Sequence, residues 1–119
     1  MIKEYIDEMI AKKFIKPSSL LYTASVLVVK KPERGLKIYI DYRTLNTLTI
    51  KNRNAFLLIR EILSRIYKIK YYSNFDVIAA FNKIRIKGEN KEKTAFLIRY
   101  GFFKYLVMFF ELCNVPGIF

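Results

Sequence analysis

Tryptophan is absent from this chain, and cysteine occurs once, as Cys113 in the apolar context FELCNV. A lone thiol excludes a disulfide framework and points to an intracellular setting in which the side chain is buried and inert. Glycine and proline are sparse, at four and three, so elaborate loops have little to build on and short connections are expected. No uninterrupted run of about 18 apolar residues occurs, which leaves no transmembrane helix to propose. The dense stretch 106–110 is broken by Glu111 and Asn114. The start, MIKEYIDEMIAKKF, lacks the apolar core of a signal peptide. No membrane partner is expected.

Acid is the other scarcity. Ten Asp and Glu stand against 22 Lys and Arg, a net charge of +12 in 119 residues. That excess must sit on the surface, and its natural partner is a polyanion, nucleic acid ahead of an anionic membrane face. AT-rich coding sequence explains the same composition equally well, since Lys, Ile, Asn, Phe and Tyr become common together. What is plentiful is apolar: 53% hydrophobic residues, with ten Phe and nine Tyr. These suffice for a real core in one domain, or a piece of one, with a sheet-rich or mixed interior.

Residues 2–15 place Ile2, Tyr5, Ile6, Met9, Ile10 and Phe14 on one face at helical spacing, with Lys3, Glu4, Asp7, Glu8, Lys12 and Lys13 opposite. This predicts an amphipathic helix on the core, stopped near Pro17. Residues 24–30 and 36–40 predict two strands around a turn at 32–35, with Leu36, Ile38 and Ile40 alternating with Lys37, Tyr39 and Asp41. Lys30, Lys31, Arg34 and Lys37 crowd the tip and one face of this hairpin, either as a cationic finger or as protection against edge-to-edge pairing. DYRTLN, 41–46, ends the second strand, and an exposed connection is expected through Asn54. Helical spacing returns over 56–69, turning Ile59, Ile62, Leu63 and Ile66 toward the core and Arg60, Glu61, Arg65 and Lys68 outward. After the polar KGENKEK, residues 94–99 and 103–108 predict a second hairpin joined at Tyr100-Gly101.

Between helix and hairpin lies YYSNFDVIAAFNKIRI, 71–86. A beta-rich apolar run delivers Asp76 to its end, and small residues follow. Carboxylates at strand ends beside a short turn are where phosphoryl-transfer enzymes hold magnesium, because a hard cation takes oxygen ligands. By itself Asp76 is better read as the cap of a short helical turn over 78–81.

The succession of segments says more than any one of them. FIKPS after the first helix, VLVVKKPERGLKIYIDYRTLN, IKNRNAFLLIREILSRI, YYSNFDVIAAFNKIRI and KTAFLIRYGFFKYLVMFFELCNVPGIF together resemble the reverse transcriptase of gypsy-type long-terminal-repeat retrotransposons. The likeness covers essentially the whole chain; each block is moderately specific, and their order highly so. The resemblance implies an α+β fold of mixed helices and antiparallel hairpins, the fingers plus partial palm of a right-hand polymerase. About residues 1–70 are mainly fingers and about 71–119 the start of the palm. It also implies RNA-directed DNA polymerisation, in which two magnesium ions bridge the primer 3′ oxygen and the incoming triphosphate. Asp76 then stands at the family's first metal-binding aspartate, with the Val77 carbonyl as a further ligand. Phe81 falls at the aromatic under the sugar, and Ala79 and Ala80 let backbone N–H groups approach the triphosphate. Lys31 and Lys37 match positions on the nucleotide's phosphates. Arg43 and Asn46 lie in a block tied to the template; Phe110, Asn114 and Pro116 fall beside the nascent base pair and template. Expected partners are RNA/DNA template–primer and dNTP, with Mg2+ as cofactor.

Departures from the family pattern are as informative. Lys37 stands where relatives usually have Arg, a point charge in place of a planar fork. Glu111 replaces a Gly and brings a negative charge toward the triphosphate. Asn54, Ala55 and Phe56 replace Pro-Leu-Pro, Phe109 a Pro, Ala80 a Gly, and Asn82-Lys83 a His-Gln pair. The family's Tyr-x-Asp-Asp element, expected after NVPGIF, does not occur in these residues, and no Asp follows Asp76. A truncated fragment, inactive alone and open to a chain that supplies the rest of the polymerase, is the expectation. The alternatives are a non-catalytic basic nucleic-acid-binding module and a transposon relic.

Overall fold

Helical periodicity at the start of the chain is realised, and it ends earlier than expected. The computed structural model describes residues 2–20, 23–30, 32, 35–52 and 58–118, beginning with helix α1 (Ile2–Ala11), which buries Ile6 and Met9. The expected stop near Pro17 is corrected: Lys13 takes a left-handed φ of 57°, and Phe14 N–H donates to the Met9 carbonyl at 3.0 Å. A left-handed residue that closes the last turn is a common helix ending. The chain then re-enters as strand β1 (Ile15–Pro17), which the sequence did not announce.

β1 pairs antiparallel with β5 (Gly101–Tyr105), and β5 with β4 (Phe96–Ile98), giving a three-stranded sheet ordered β1-β5-β4. Pro17 sits at the end of an edge strand, where a missing N–H is tolerated. Gly101, with φ 129°, supplies a backbone conformation that L side chains rarely adopt at the β4–β5 turn. The other hairpin, β2 (Val26–Lys30) and β3 (Leu36–Ile40), pairs the two expected strands, the first starting at Val26 rather than Ala24, in a register from Val26↔Ile40 to Lys30↔Leu36. Of the expected basic tip, Lys31 and Arg34 lie outside the described residues. Ala24 ties the two sheets together: it bridges to Phe96, donates to the Ala95 carbonyl at 2.9 Å and accepts from Leu97 N–H at 3.3 Å.

The core lies where α1 and both hairpins meet, and includes Ile6, Met9, Ile15, Ile38, Ile40, Tyr42, Phe96, Phe103, Tyr105 and Phe109. Tyr105 stacks on Phe109 with ring centroids 4.6 Å apart. The fold is thus mixed α and β with antiparallel sheets. Among the described residues, no helix is long and apolar enough to cross a membrane.

Four further expectations are corrected. DYRTLN does not simply begin an exposed connection, because residues 43–48 form helix α2 (Arg43–Leu48). Helix α3 (Ile59–Ile66) forms, but its apolar side is not in the core: Ile59 is 74% exposed and Leu63 55%. None of the helix's residues is buried. Residues 71–77, expected as a strand, have no regular structure, since a strand needs a neighbour to take its hydrogen bonds. Next comes a 3-10 turn, Ala80–Lys83, preceded by Ala79 at φ 50° with no side-chain cap, so Asp76 does not cap it. KGENKEK contributes 3-10 turns Gly88–Asn90 and Glu92–Thr94, and the chain closes with the short helix α4 (Val115–Ile118). The radius of gyration, 17.5 Å, exceeds the roughly 13.5 Å of a compact chain of this length.

Candidate functional site

Strand β3 and the turn after β5 build one side of the candidate site. On β3, Lys37 and Tyr39 alternate with the buried Ile38 and Ile40. The period of two therefore sends Lys37 and Tyr39 away from the core together. Lys37 Nζ lies 4.7 Å from the Tyr39 ring centroid and 5.5 Å from that of Phe110. The two rings meet edge to face at 6.3 Å. An ammonium over aromatic faces is held by their quadrupoles and loses little reach toward solvent. Lys37 and Phe110, assigned to nucleotide binding by the resemblance, are thus brought together. Lys31, assigned with them, lies outside the described residues.

Glu111 sits against the same strand, a residue that sequence reasoning singled out only as a departure. Its Oε2 accepts the Ile40 N–H at 2.6 Å, while Oε1 is buried without a partner. Burial raises the Glu111 carboxyl above its ordinary range, and Asp41 adds to the rise. The Ile40 N–H and Lys37 oppose it by favouring the anion. A cleft of about 620 Å³ opens beside Glu111, Asn46, Arg43 and Ser25.

Asn46, which lines this cleft, and Asn114, which lines another with Thr49, Ile50, Lys51 and Asn52, tie distant parts of the chain together. Asn46 Nδ2 donates to the Glu111 carbonyl at 2.8 Å, and its Oδ1 accepts the Cys113 N–H at 3.0 Å. Asn114 Oδ1 accepts the Asn52 N–H at 2.9 Å, and its Nδ2 donates to the Ile50 carbonyl at 2.9 Å. Both amides therefore pin the 111–114 turn to α2 and the segment after it. Arg43 is engaged with Asp41 through two nitrogens, Nε at 2.9 Å and Nη2 at 2.7 Å. These bonds hold the exposed Asp41 carboxyl down at about 2. Pro116 is exposed on α4.

Asp76 and Val77 take no part in these contacts and do not line the cleft. Both are exposed, in the irregular run 71–77, and no hydrogen bond or ion pair joins Asp76 to another described residue. Ala79 and Ala80 follow at the 3-10 turn, with Phe81 half-buried within it. Among the described residues, no group of three or more His, Cys, Asp or Glu could hold a metal ion. One solvated carboxylate does not fit the donor set of a two-ion magnesium site.

Tyr42 escaped sequence reasoning. Its ring is buried against Phe109, and its hydroxyl donates to the Thr94 carbonyl at 2.8 Å, anchoring the start of α2 to the sheet. Burial pushes its pKa far upward, so it is a neutral donor. Its place directly after a strand and before RTLN was the available signal.

No family model matches the chain. Its sequence is 33% identical over 123 residues to the retrovirus-related Pol polyprotein from transposon 297 of Drosophila melanogaster, covering 99% of this chain and 12% of that protein. The Pol polyprotein from transposon opus of the same fly is 31% identical, with the same coverage. The transposon Tf2-3 polyprotein of Schizosaccharomyces pombe is 27% identical over 118 residues, 9% of its own length. Among solved structures, prototype foamy virus protease–reverse transcriptase superposes with a TM-score of 0.66 at 16% identity, covering 99% of this chain and 16% of that one. The chain spans about an eighth of the curated relatives it matches first (12%). It is homologous, over nearly all of its residues, to a segment of retrotransposon polyproteins, and it shares its fold with part of a viral protease–reverse transcriptase.

Proposed function

We propose that this chain is a fragment of a gypsy-type retrotransposon reverse transcriptase, fingers and the start of the palm, that contacts nucleic acid and does not catalyse by itself. The observation that carries this reading is the match of 99% of its residues to retrotransposon Pol polyproteins. The net charge of +12 supports a polyanionic partner.

In this reading Lys37 supplies a cation for a phosphate, and the neighbouring Phe110 face, 43% exposed, receives a base or sugar. A point charge beside an aromatic platform suits a nucleotide without reading its sequence. Asn46 and Asn114 act as positioning residues that fix the 111–114 turn, while Arg43 and Pro116 lie toward the template. Ala79 and Ala80 leave room for a triphosphate, and Phe81 lies under its sugar. Asp76 and the Val77 carbonyl are the remains of a magnesium site whose other carboxylates these residues do not include. Glu111 adds an anion beside Lys37, which weakens the hold on a triphosphate.

Incubating the purified chain with a primed RNA template, dNTPs and Mg2+ tests both halves. The expected outcome is retention of labelled primer–template without extension. Extension that disappears in Asp76→Asn would contradict the claim of inactivity, and absence of retention would contradict nucleic-acid contact.

One observation favours a second reading, an unselected relic that folds incompletely: Tyr71 is 90% and Phe75 87% exposed, and apolar surface of this kind invites aggregation. Cooperative thermal unfolding of a soluble monomer would argue that reading away.

A further inference from the structure

The Glu111 carboxyl is short of partners. Its Oε2 accepts the Ile40 N–H at 2.6 Å, and its Oε1 is buried with none. A buried oxygen without a donor supports a negative charge poorly unless a cation stands near. The charged and titratable groups that face Glu111 are Lys37 on β3, Asp41 and Tyr42 just after it, and Tyr105 on β5. Both tyrosines are buried neutral hydroxyls. Asp41 is tied to Arg43 through two nitrogens, which commits the Arg43 guanidinium at the cleft. Among the described residues, Lys37 is the cation that favours an ionised Glu111. The same ammonium stands over the Tyr39 and Phe110 rings as the candidate phosphate contact.

We propose that Glu111 is a proton-operated control on phosphate binding at Lys37: as an anion it competes for the ammonium, and once protonated it releases the ammonium to a nucleic-acid phosphodiester. This regulation rests on the functional reading above, since it acts on the same site. The coupling runs both ways. A phosphate that engages Lys37 takes from Glu111 the cation that favours its charge, so binding draws a proton from solvent onto the carboxyl. Burial already holds that carboxyl above its ordinary range. Little else titrates alongside it. The chain contains no histidine, the side chain whose ordinary titration falls between about pH 5 and 8. Of the described carboxyls whose titration is displaced, Glu111 alone moves upward, while Glu4 and Asp41 move down. A phosphodiester keeps its charge throughout that window, so the response belongs to the protein.

Binding of a labelled oligothymidine by the full chain, followed by fluorescence anisotropy between about pH 5 and pH 7 at fixed ionic strength, tests the proposal. Affinity is expected to fall about threefold or more as pH rises, the scale of one partly screened ion pair. Calorimetry in buffers of different ionisation heat is expected to show uptake of a fraction of a proton on binding. Glu111→Gln keeps an acceptor for the Ile40 N–H. It is expected to bind at neutral pH as tightly as the parent does in acid, with neither pH dependence nor proton uptake. Lys37→Ala is expected to bind more weakly and to lose the pH dependence too, which keeps the test decisive if thermal unfolding shows that Glu111→Gln does not fold. A parent-like slope in either folded variant overturns the proposal. So does parent binding without pH dependence or proton uptake, an outcome that leaves the functional reading standing. Absence of binding at every pH overturns both.

Discussion

Thr94 shows how much of the fold can depend on one small polar side chain. Its hydroxyl donates to the Lys91 carbonyl at 2.7 Å and accepts the Tyr105 N–H at 2.9 Å, while its own carbonyl receives the Tyr42 hydroxyl. All three links meet in the core. Thr94→Val is expected to destabilise the chain by about 1–3 kcal/mol, because a buried N–H loses its acceptor. Tyr42→Phe should cost less, about 1 kcal/mol. Urea midpoints at constant slope check both. Lys104 is likewise buried, at 6% exposure, and it pairs with Glu92. A buried ion pair is weak support for stability, so Lys104→Met is expected to be close to neutral, whereas Glu92→Ala strands the ammonium and should be the more harmful change.

Glu111 makes a prediction with a definite sign. Its folded pKa lies above the ordinary glutamate value, so the native state binds the proton more tightly than the unfolded chain. Stability from this group is fully present below the ordinary value and is lost as pH rises through the raised one. Glu111→Gln keeps an acceptor for the Ile40 N–H and removes the titration. The variant is expected to show a flatter stability profile from acid to neutral pH and a neutral-pH thermal midpoint no lower than the parent's. A parent-like slope in the variant contradicts this account. Asp41 works in the opposite direction: Arg43 holds it at about 2, its contribution is present above the ordinary carboxylate range, and it is lost as pH falls through that value.

Among the elements, the sequence made local pairing legible and burial only partly so. The β2–β3 hairpin was readable because alternation, a Pro and a Gly bracket it, and its register follows. β1 was not, since three residues ending in Pro17 carry no periodicity and their strand character comes from β5 across the sheet. α3 was visible from its spacing, but which face it buries depends on a partner surface that no local pattern encodes. Asp76 followed the same rule: its chemical type was legible, whereas the strand expected to present it is absent from the described fold. Matched substitutions separate these cases. Ile15→Ala, at 2% exposure, is expected to cost about 2–5 kcal/mol. Ile59→Ala, at 74% exposure, should fall within about 0.5 kcal/mol of the parent. Equal losses at the two sites would mean that α3 is packed after all.

For the whole molecule, the resemblance read from ordered blocks and the homology to retrotransposon polyproteins point the same way. Lys37, Tyr39 and Phe110 are assembled in contact here, while Asp76 is exposed in an irregular run. The most direct measurement is the affinity of the purified chain for primer–template as a function of salt, for the parent and for Lys37→Ala. Affinity is expected to fall linearly in log–log form with rising salt, and Lys37→Ala to weaken binding and shorten that slope by about one phosphate contact. A salt-independent affinity, or a Lys37→Ala curve that overlies the parent's, would contradict the account.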